Sequence, residues 1–313
     1  MRPADRLAAK LGEGEVVLLD GATGTELQRR GVPMDGEAWC ALATLTHPDV
    51  LRAVHEDYVR QGCDVVTANT FANARHMMAR AGREGDTRLA YRRAVEIARE
   101  ARERLGAGHV AVAGSISTMR PVLKGADRRD PAAAVPLAEA RANLREAADT
   151  LAEAGADLLL LEMIGDLDWG GAALEAAVAT GLPVWVGTSV RRGEHGEIAS
   201  FHPGGPSFPD LVRGLSDLGP QAMGVMHCAI PDTGPALDAL RAVWDGPVLA
   251  YPEVGWFEMP DWRFVEIEPA AFAEAALGWI GQGTRIVGGC CGLGPMHIQA
   301  LAAQLGVEAG SIR

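Results

Sequence analysis

The chain has 313 residues, of which 48% are hydrophobic and 22% charged, so it can bury a large core. Its 29 basic residues stand against 41 acidic ones, and the net charge of −12 argues against nucleic acid as a partner and favours a small-molecule ligand. No run of about 18 apolar residues occurs, and the amino-terminal sequence lacks an apolar core of the signal-peptide type. We therefore expect a cytoplasmic protein with no membrane segment.

Eight short β-rich runs divide the sequence, and each is followed by a segment with helical spacing. Eight such units favour a parallel sheet closed into a (β/α)8 TIM barrel, an α/β fold that spans residues 1–313 as one domain. No GxGxxG motif follows the first strand, which counts against a Rossmann fold. Two of the predicted helical segments are Asp86–Arg104 and Pro131–Ala154. The predicted strands are Val16–Asp20, Asp64–Asn69, His109–Gly114, Asp157–Glu162, Pro183–Ser189, Ala222–Cys228, Pro247–Tyr251 and Thr284–Gly289.

Three predicted loops are rich in glycine, proline and charged residues. They are Met119–Asp130, Arg191–Pro209 and Pro252–Pro269, and each follows the end of a strand. In a barrel, this side of the sheet carries the active site.

The five cysteines are an odd number in a chain without a secretion signal, which favours thiols or metal ligands over disulfides. Cys290 and Cys291 are adjacent between glycines at the end of the last strand, and Cys228 ends the sixth strand. In a closed barrel these strand ends surround one mouth, so the three thiols can converge and leave an open fourth position on zinc. Burial in the core is an equally good interpretation from spacing alone, since no CxxC occurs.

The two remaining cysteines and a histidine are interpreted differently. Cys40 and Cys63 lie away from strand ends and are predicted to be structural. Neighbours in a strand face opposite sides, so His227 is predicted to point away from the face used by Cys228 and to pack or support the site.

Polar residues also stand at the ends of the first four predicted strands: Asp20, Asn69, Thr70, Ser115 and Glu162. Each alone is explained equally well as a helix cap or a loop hydrogen bond. Together they predict a pocket for an amino acid, whose amine needs an acceptor such as Glu162 or Asp20 and whose carboxylate needs donors such as Asn69.

These residues resemble the homocysteine S-methyltransferase family, barrel enzymes that include betaine–homocysteine and S-methylmethionine–homocysteine methyltransferases. The resemblance runs nearly end to end. It is carried by residues 19–27 (LDGATGTEL), 64–71 (DVVTANTF), 156–162 (ADLLLLE), Cys228 and 288–292 (GGCCG).

The resemblance implies that Cys228, Cys290 and Cys291 hold Zn²⁺, that the homocysteine thiol takes the fourth position, and that Asp20 and Glu162 bind its amino-acid end. The implied reaction is methyl transfer from a sulfonium donor, S-methylmethionine or S-adenosylmethionine, to give methionine. Betaine or another quaternary ammonium donor is the alternative. Aromatic residues of the seventh loop, Trp256, Phe257 and Trp262, are either cation–π surfaces for the donor or loop anchors.

Four departures from the family pattern concern the pocket. His227 stands where the family usually has asparagine, Glu253 where it has an amide, and Met163 where a threonine is common; a downstream glutamate is missing near Trp169. They suggest a retained metal with altered specificity, so a different thiol acceptor stays possible. Two other classes also stay open: a non-catalytic protein that binds zinc or thiols, and a barrel whose cysteines are core residues.

Overall fold

The computed structural model describes residues 1–125, 129–193, 195–201 and 205–307. Eight parallel strands form a nearly closed barrel surrounded by helices. An isolated parallel bridge between Leu19 and Val65 brings the two ends of this sheet together. The predicted TIM barrel is thereby confirmed.

The strands in chain order are β1 Val17–Leu18, β2 Val65–Thr67, β3 Ala111–Ser117, β4 Leu158–Ile164, β5 Val184–Arg192, β6 Ile198–Ser200, β7 Ala222–Ala229, β8 Val248–Glu253, β9 Trp256–Glu258, β10 Asp261–Arg263 and β11 Ile286–Val287. Eight of them form the barrel, in the spatial order β1-β11-β8-β7-β5-β4-β3-β2. The other three lie outside it: β6 pairs antiparallel with β5, and β9 pairs antiparallel with β10.

The α-helices are α1 Pro3–Gly12, α2 Gly24–Arg29, α3 Ala43–Thr46, α4 Pro48–Arg60, α5 Arg75–Arg80, α6 Thr87–Arg104, α7 Leu137–Glu153, α8 Leu167–Val178, α9 Phe208–Ser216, α10 Ile230–Arg241, α11 Pro269–Gly281 and α12 Pro295–Gln304. None of the helices in the described ranges is long and apolar enough to cross a membrane.

All eight predicted strands correspond to barrel strands, with ends shifted by a few residues. The segment predicted as one helix from Pro131 to Ala154 is a 3-10 turn, Pro131–Ala133, followed by α7 from Leu137. Proline disfavours helical backbone in the residue before it, so Pro136 prevents an earlier start. Residues 126–128 of the first predicted loop, and 194 and 202–204 of the second, lie outside the described residues.

Two apolar layers hold the barrel. One fills its interior and includes Val17, Leu160, Trp185 and Tyr251, with Leu7 of α1 packed against it. The other lies between the strands and the surrounding helices. The parallel strands are therefore buried on both faces, as expected for this architecture.

Two barrel strands lose regular pairing near their carboxyl ends. The register of β4 against β5 shifts between Leu161 and Ile164, and that of β7 against β8 shifts between Met226 and Ala229. Such bulges redirect side chains and are frequent beside active sites. Here they fall at the strand ends where the sequence predicts functional residues.

Candidate active site

A pocket opens at the carboxyl ends of the barrel strands. Its lining comes from β2, β4, β7 and β8, from the segments that follow β1 and β11, from the loops that follow β3 and β8, and from the segment between the second and third helices. The residues on it that bear on chemistry are Asp20, Trp39, Cys40, Asn69, Phe71, Arg120, Arg129, Glu162, Met163, His227, Phe257, Trp262, Cys290 and Cys291.

Backbone strain is concentrated on this pocket. Three non-glycine residues in the described ranges have positive φ: Trp39 at 47°, Met163 at 54° and His227 at 46°. All three line the pocket, and Met163 and His227 lie within the two bulges. Unfavourable backbone of this kind persists where the surroundings enforce it, often at functional sites.

Four potential metal ligands lie close together, and three of them, His227, Cys290 and Cys291, line the pocket. One ligand atom each from His227, Glu253, Cys290 and Cys291 lies within 4.8 Å of the others. The two sulfurs are 4.0 Å apart, and His227 Nδ1 is paired with a Glu253 carboxylate oxygen. His227 and Glu253, two separate departures from the family pattern, are therefore in direct contact.

Backbone hydrogen bonds hold the adjacent cysteines against the segment that ends β8. Cys290 N donates to Pro252 O over 2.7 Å, and Val254 N donates to Cys291 O over 2.9 Å. Gly292 follows with φ of 81°, and a Cβ there would lie 2.1 Å from Val254 O. Glycine permits this close approach, which fixes Glu253 beside both thiols.

The two thiols differ in acidity because they share a hydrogen bond. The Cys291 thiol beside it lowers the pKa of Cys290 below its usual value, with His227 contributing in the same direction, whereas the pKa of Cys291 is well above its usual value. This hydrogen bond therefore favours the thiolate form of Cys290, and thiolate is the form that binds metal.

The bulge in β7 turns His227, rather than Cys228, toward the pair of thiols. The Cys228 sulfur is buried between β7 and α10, 3.5 Å from Thr233 Oγ1. The two neighbours face opposite sides, as predicted, but His227 and not Cys228 is the one that faces the two thiols. Which of them does so depends on the shift in register of β7 between Met226 and Ala229.

Asp20 and Glu162, both predicted to bind substrate, are buried carboxyl groups on the pocket wall. Burial raises the pKa of Asp20 to about 7 and that of Glu162 to about 8. Asp20 accepts hydrogen bonds from Thr67 N and Oγ1 at 2.6 and 2.8 Å, and Glu162 accepts one from Ser115 Oγ. An ammonium group beside them would offset this burial cost by favouring the ionised forms.

The other three residues predicted to bind substrate, Asn69, Thr70 and Ser115, form hydrogen bonds within the protein around the pocket. Asn69 lines the pocket, but its amide nitrogen donates to Cys40 O and Thr44 Oγ1, at 2.9 and 3.1 Å. Thr70 donates to Ser115 O over 2.8 Å, and Ser115 supports Glu162. Neither Thr70 nor Ser115 is part of the pocket lining among the described residues.

Aromatic rings form one side of the pocket. Trp39 packs edge-on against Phe71 and Phe257, with ring centroids 5.9 and 5.8 Å apart, and Trp262 lies 6.5 Å from Phe257. Trp256 is 53% exposed and does not belong to the lining.

Some residues that line the pocket were not predicted from the sequence to do so. Trp39 and Cys40 stand in the segment between α2 and α3, far from any strand end, and reach the pocket by long-range packing. Cys40 is buried as predicted, with its thiol 3.2 Å from Asn69 Oδ1, yet it borders the pocket. Cys63 is buried away from it.

Known proteins resemble this chain over nearly its whole length. A family model described as homocysteine S-methyltransferase matches residues 17–305. The homocysteine S-methyltransferase of Escherichia coli (strain K12) is 31% identical over 314 residues, covering 95% of this chain and 98% of that protein. Betaine–homocysteine S-methyltransferase 1 of Mus musculus is 26% identical over 321 residues, covering 96% and 75%.

Among solved structures, the metallated form of the Escherichia coli homocysteine methyltransferase MmuM matches with a TM-score of 0.76 and 27% identity, covering 95% of this chain and 99% of that one. The chain thus belongs to the homocysteine S-methyltransferase family, which confirms the resemblance found in its sequence. Membership supports an enzyme that transfers a methyl group to homocysteine.

Proposed function

We propose that the protein is a zinc-dependent enzyme that transfers a methyl group from a sulfonium donor to the thiol of homocysteine and so forms methionine. The observation that carries this proposal is the pair of thiols at Cys290 and Cys291, held 4.0 Å apart in a pocket that is also lined by two buried carboxyl groups and by five phenylalanine, tyrosine and tryptophan residues. S-methylmethionine and S-adenosylmethionine are the proposed donors, and betaine is the alternative.

The thiol pair suits zinc. Two sulfurs bound to tetrahedral zinc at about 2.3 Å lie about 3.8 Å apart, close to the separation seen here. Imidazole and carboxylate groups, which also bind zinc, complete the cluster. Zinc bound there would stabilise the thiolate form of homocysteine.

The third protein ligand has two candidates. The family resemblance supports Cys228, which would give three thiolates and an open fourth position. Geometry favours His227, whose ligand atom lies within 4.8 Å of those of Cys290 and Cys291, whereas Cys228 faces α10.

The remaining pocket residues would bind and orient the two substrates. Asp20 and Glu162 would receive the homocysteine ammonium group, since each is buried and accepts only a few hydrogen bonds from the protein. Trp39, Phe71 and Phe257 line the pocket and would contact the cationic donor through their ring faces.

The reaction itself needs no proton transfer from the protein. The homocysteine thiolate forms a bond to the methyl carbon while the bond from that carbon to the donor sulfur breaks, and the donor leaves as a neutral thioether. The chain contributes alignment of the two sulfurs and the carbon, and exclusion of water as competing nucleophile.

Zinc binding by single-site variants tests the ligand set. We expect Cys290→Ala to weaken zinc affinity by at least about a hundredfold, because a ligand matters more than the groups that orient it. Cys63→Ala removes a buried thiol outside the pocket and should bind zinc like the parent protein. Competition with a chromophoric chelator on freshly reduced protein measures both.

The same titration separates the two candidates for the third ligand. Loss of zinc from Cys228→Ala with retention by His227→Ala would identify the three-thiolate site. The reverse pattern would identify a site with two cysteines and one histidine. Zinc affinity unchanged in Cys290→Ala would contradict the proposed metal site.

A further inference from the structure

The loop after β3 brings two arginines to the pocket. Arg120 and Arg129 line the same pocket as Cys290 and Cys291, and the chemistry proposed above does not use them. Their side chains are 18% and 31% exposed, so both guanidinium groups are largely withdrawn from bulk water.

One carboxylate serves both cations. Asp166 Oδ2 lies 2.7 Å from an Arg120 nitrogen and 3.3 Å from an Arg129 nitrogen, and Asp166 Oδ1 accepts from Trp169 N at the start of α8. Within the described ranges, neither arginine has another ion-pair partner. Arg120, Arg129 and Asp166 together therefore carry one uncompensated positive charge beside the pocket.

One hydrogen-bond donor of the arginine pair is also unused. Arg120 Nε is buried and has no hydrogen-bond partner among the described residues. Burial, and the positive charge of Arg120, lower the pKa of Arg129. A bound anion would satisfy both features, because it supplies acceptors and compensates the charge.

The loop holds the arginines in place before any ligand binds. The Arg120 guanidinium lies 4.2 Å over the Trp169 ring, which leaves its edge available for hydrogen bonds. Met119 O is 3.0 Å from His76 Nε2, and Val122 forms a β-bridge with Arg129. Little side-chain entropy remains to be lost on binding.

We propose that Arg120 and Arg129 form a subsite for the carboxylate group of the methyl donor. The inference rests on the proposed function. The arginines are assigned to the donor because they belong to the separate loop after β3, whereas the groups proposed to receive the homocysteine ammonium group are Asp20, just after β1, and Glu162 of β4. Guanidinium groups bind carboxylates through paired hydrogen bonds, which suits this role.

Donor specificity in an Arg129→Met variant tests the subsite. We compare S-methylmethionine with its methyl ester, which keeps the sulfonium centre and loses the carboxylate charge. The variant should raise KM for S-methylmethionine about tenfold to a hundredfold, as expected when a hydrogen bond to a charged group is lost. Its kcat/KM with the ester should change less than about twofold, and KM for homocysteine should stay the same.

Two further proteins complete the experiment. Arg129→Lys should recover part of the lost affinity, because the charge returns without the planar pair of donors. Arg141→Met removes an arginine on α7 that is 51% exposed and paired with Glu175, and should behave like the parent. Calorimetric binding of S-methylmethionine should weaken most in Arg129→Met, less in Arg129→Lys, and not at all in Arg141→Met.

Equal losses with the acid and the ester would overturn the proposal and indicate a loop-anchoring role. A raised KM for homocysteine would overturn it as well, since the arginines would then serve the acceptor. Arginine-dependent binding of S-methylmethionine without any methyl transfer would refute the proposed reaction and leave the carboxylate subsite standing.

Discussion

Glu162 carries the clearest consequence at the scale of single residues. Burial raises its pKa to about 8 from an ordinary value of 4.5, so in metal-free protein the folded state keeps a proton that the unfolded chain has lost. Stability should therefore fall as the pH rises from about 4.5 to about 8, because the unfolded state binds fewer protons in this range.

The Glu162→Gln variant should remove this pH dependence. Relative to the parent, it should gain stability between pH 5 and pH 8, on the order of 2–4 kcal/mol at about 1.4 kcal/mol per pKa unit. Urea unfolding of reduced, metal-free protein at several pH values measures the difference. Glu175→Gln, at an exposed carboxylate of α8, is the matched control, and a Glu162→Gln curve parallel to the parent would contradict the argument.

The residue types predict which chemical groups the site contains better than they predict which way each side chain points. The sequence places Asp20, Glu162 and the adjacent cysteines at strand ends, and all of them line one pocket. It cannot tell which of His227 and Cys228 faces the thiols, because this depends on a bulge and a positive φ in β7. The contact between His227 and Glu253 also cannot be predicted from the sequence, because the two residues lie on different strands.

At the scale of elements, β7 is the strand on which the site depends most directly. Gly224 lies opposite Leu249 of β8, and a Cβ at Gly224 would lie 1.8 Å from the Leu249 carbonyl oxygen. These two strands carry His227 and Glu253 at their ends.

Gly224→Ala should push β7 and β8 apart and destabilise the protein by about 1–3 kcal/mol, the usual cost of overpacking. Gly278→Ala is the matched control, because this exposed glycine of α11 has nothing within 4 Å of a built Cβ. Alanine there should stabilise the helix by about 0.5–1 kcal/mol. Urea unfolding measures both, and a neutral Gly224→Ala would show that the strands can separate without cost.

The barrel strands are predictable because each is a short apolar run buried on both faces, and flanking helices have a different period. The strands that sequence reasoning missed are short and antiparallel. β6, β9 and β10 span three residues each and lie within segments predicted as loops. Their composition is that of loops, and only pairing with a neighbour makes them strands.

At the scale of the whole molecule, function depends on how the barrel closes. The vicinal cysteines follow β11, His227 ends β7 and Glu253 ends β8, and the spatial order of these three strands is β11-β8-β7. Three neighbouring strands thus bring the four potential metal ligands together, while the buried carboxyl groups come from β4 and from the segment just after β1. Family membership gives this arrangement its reaction, methyl transfer to homocysteine.

Methionine formation by zinc-loaded and zinc-depleted protein tests the central claim most directly. Freshly reduced protein would be assayed with homocysteine and, in turn, S-methylmethionine, S-adenosylmethionine and betaine. The account predicts about one zinc per chain, as the proposed site requires, with turnover from S-methylmethionine or S-adenosylmethionine that is lost on depletion and restored by added zinc. Full activity in zinc-depleted protein, or a zinc-loaded protein that methylates homocysteine from none of the three donors, would contradict it.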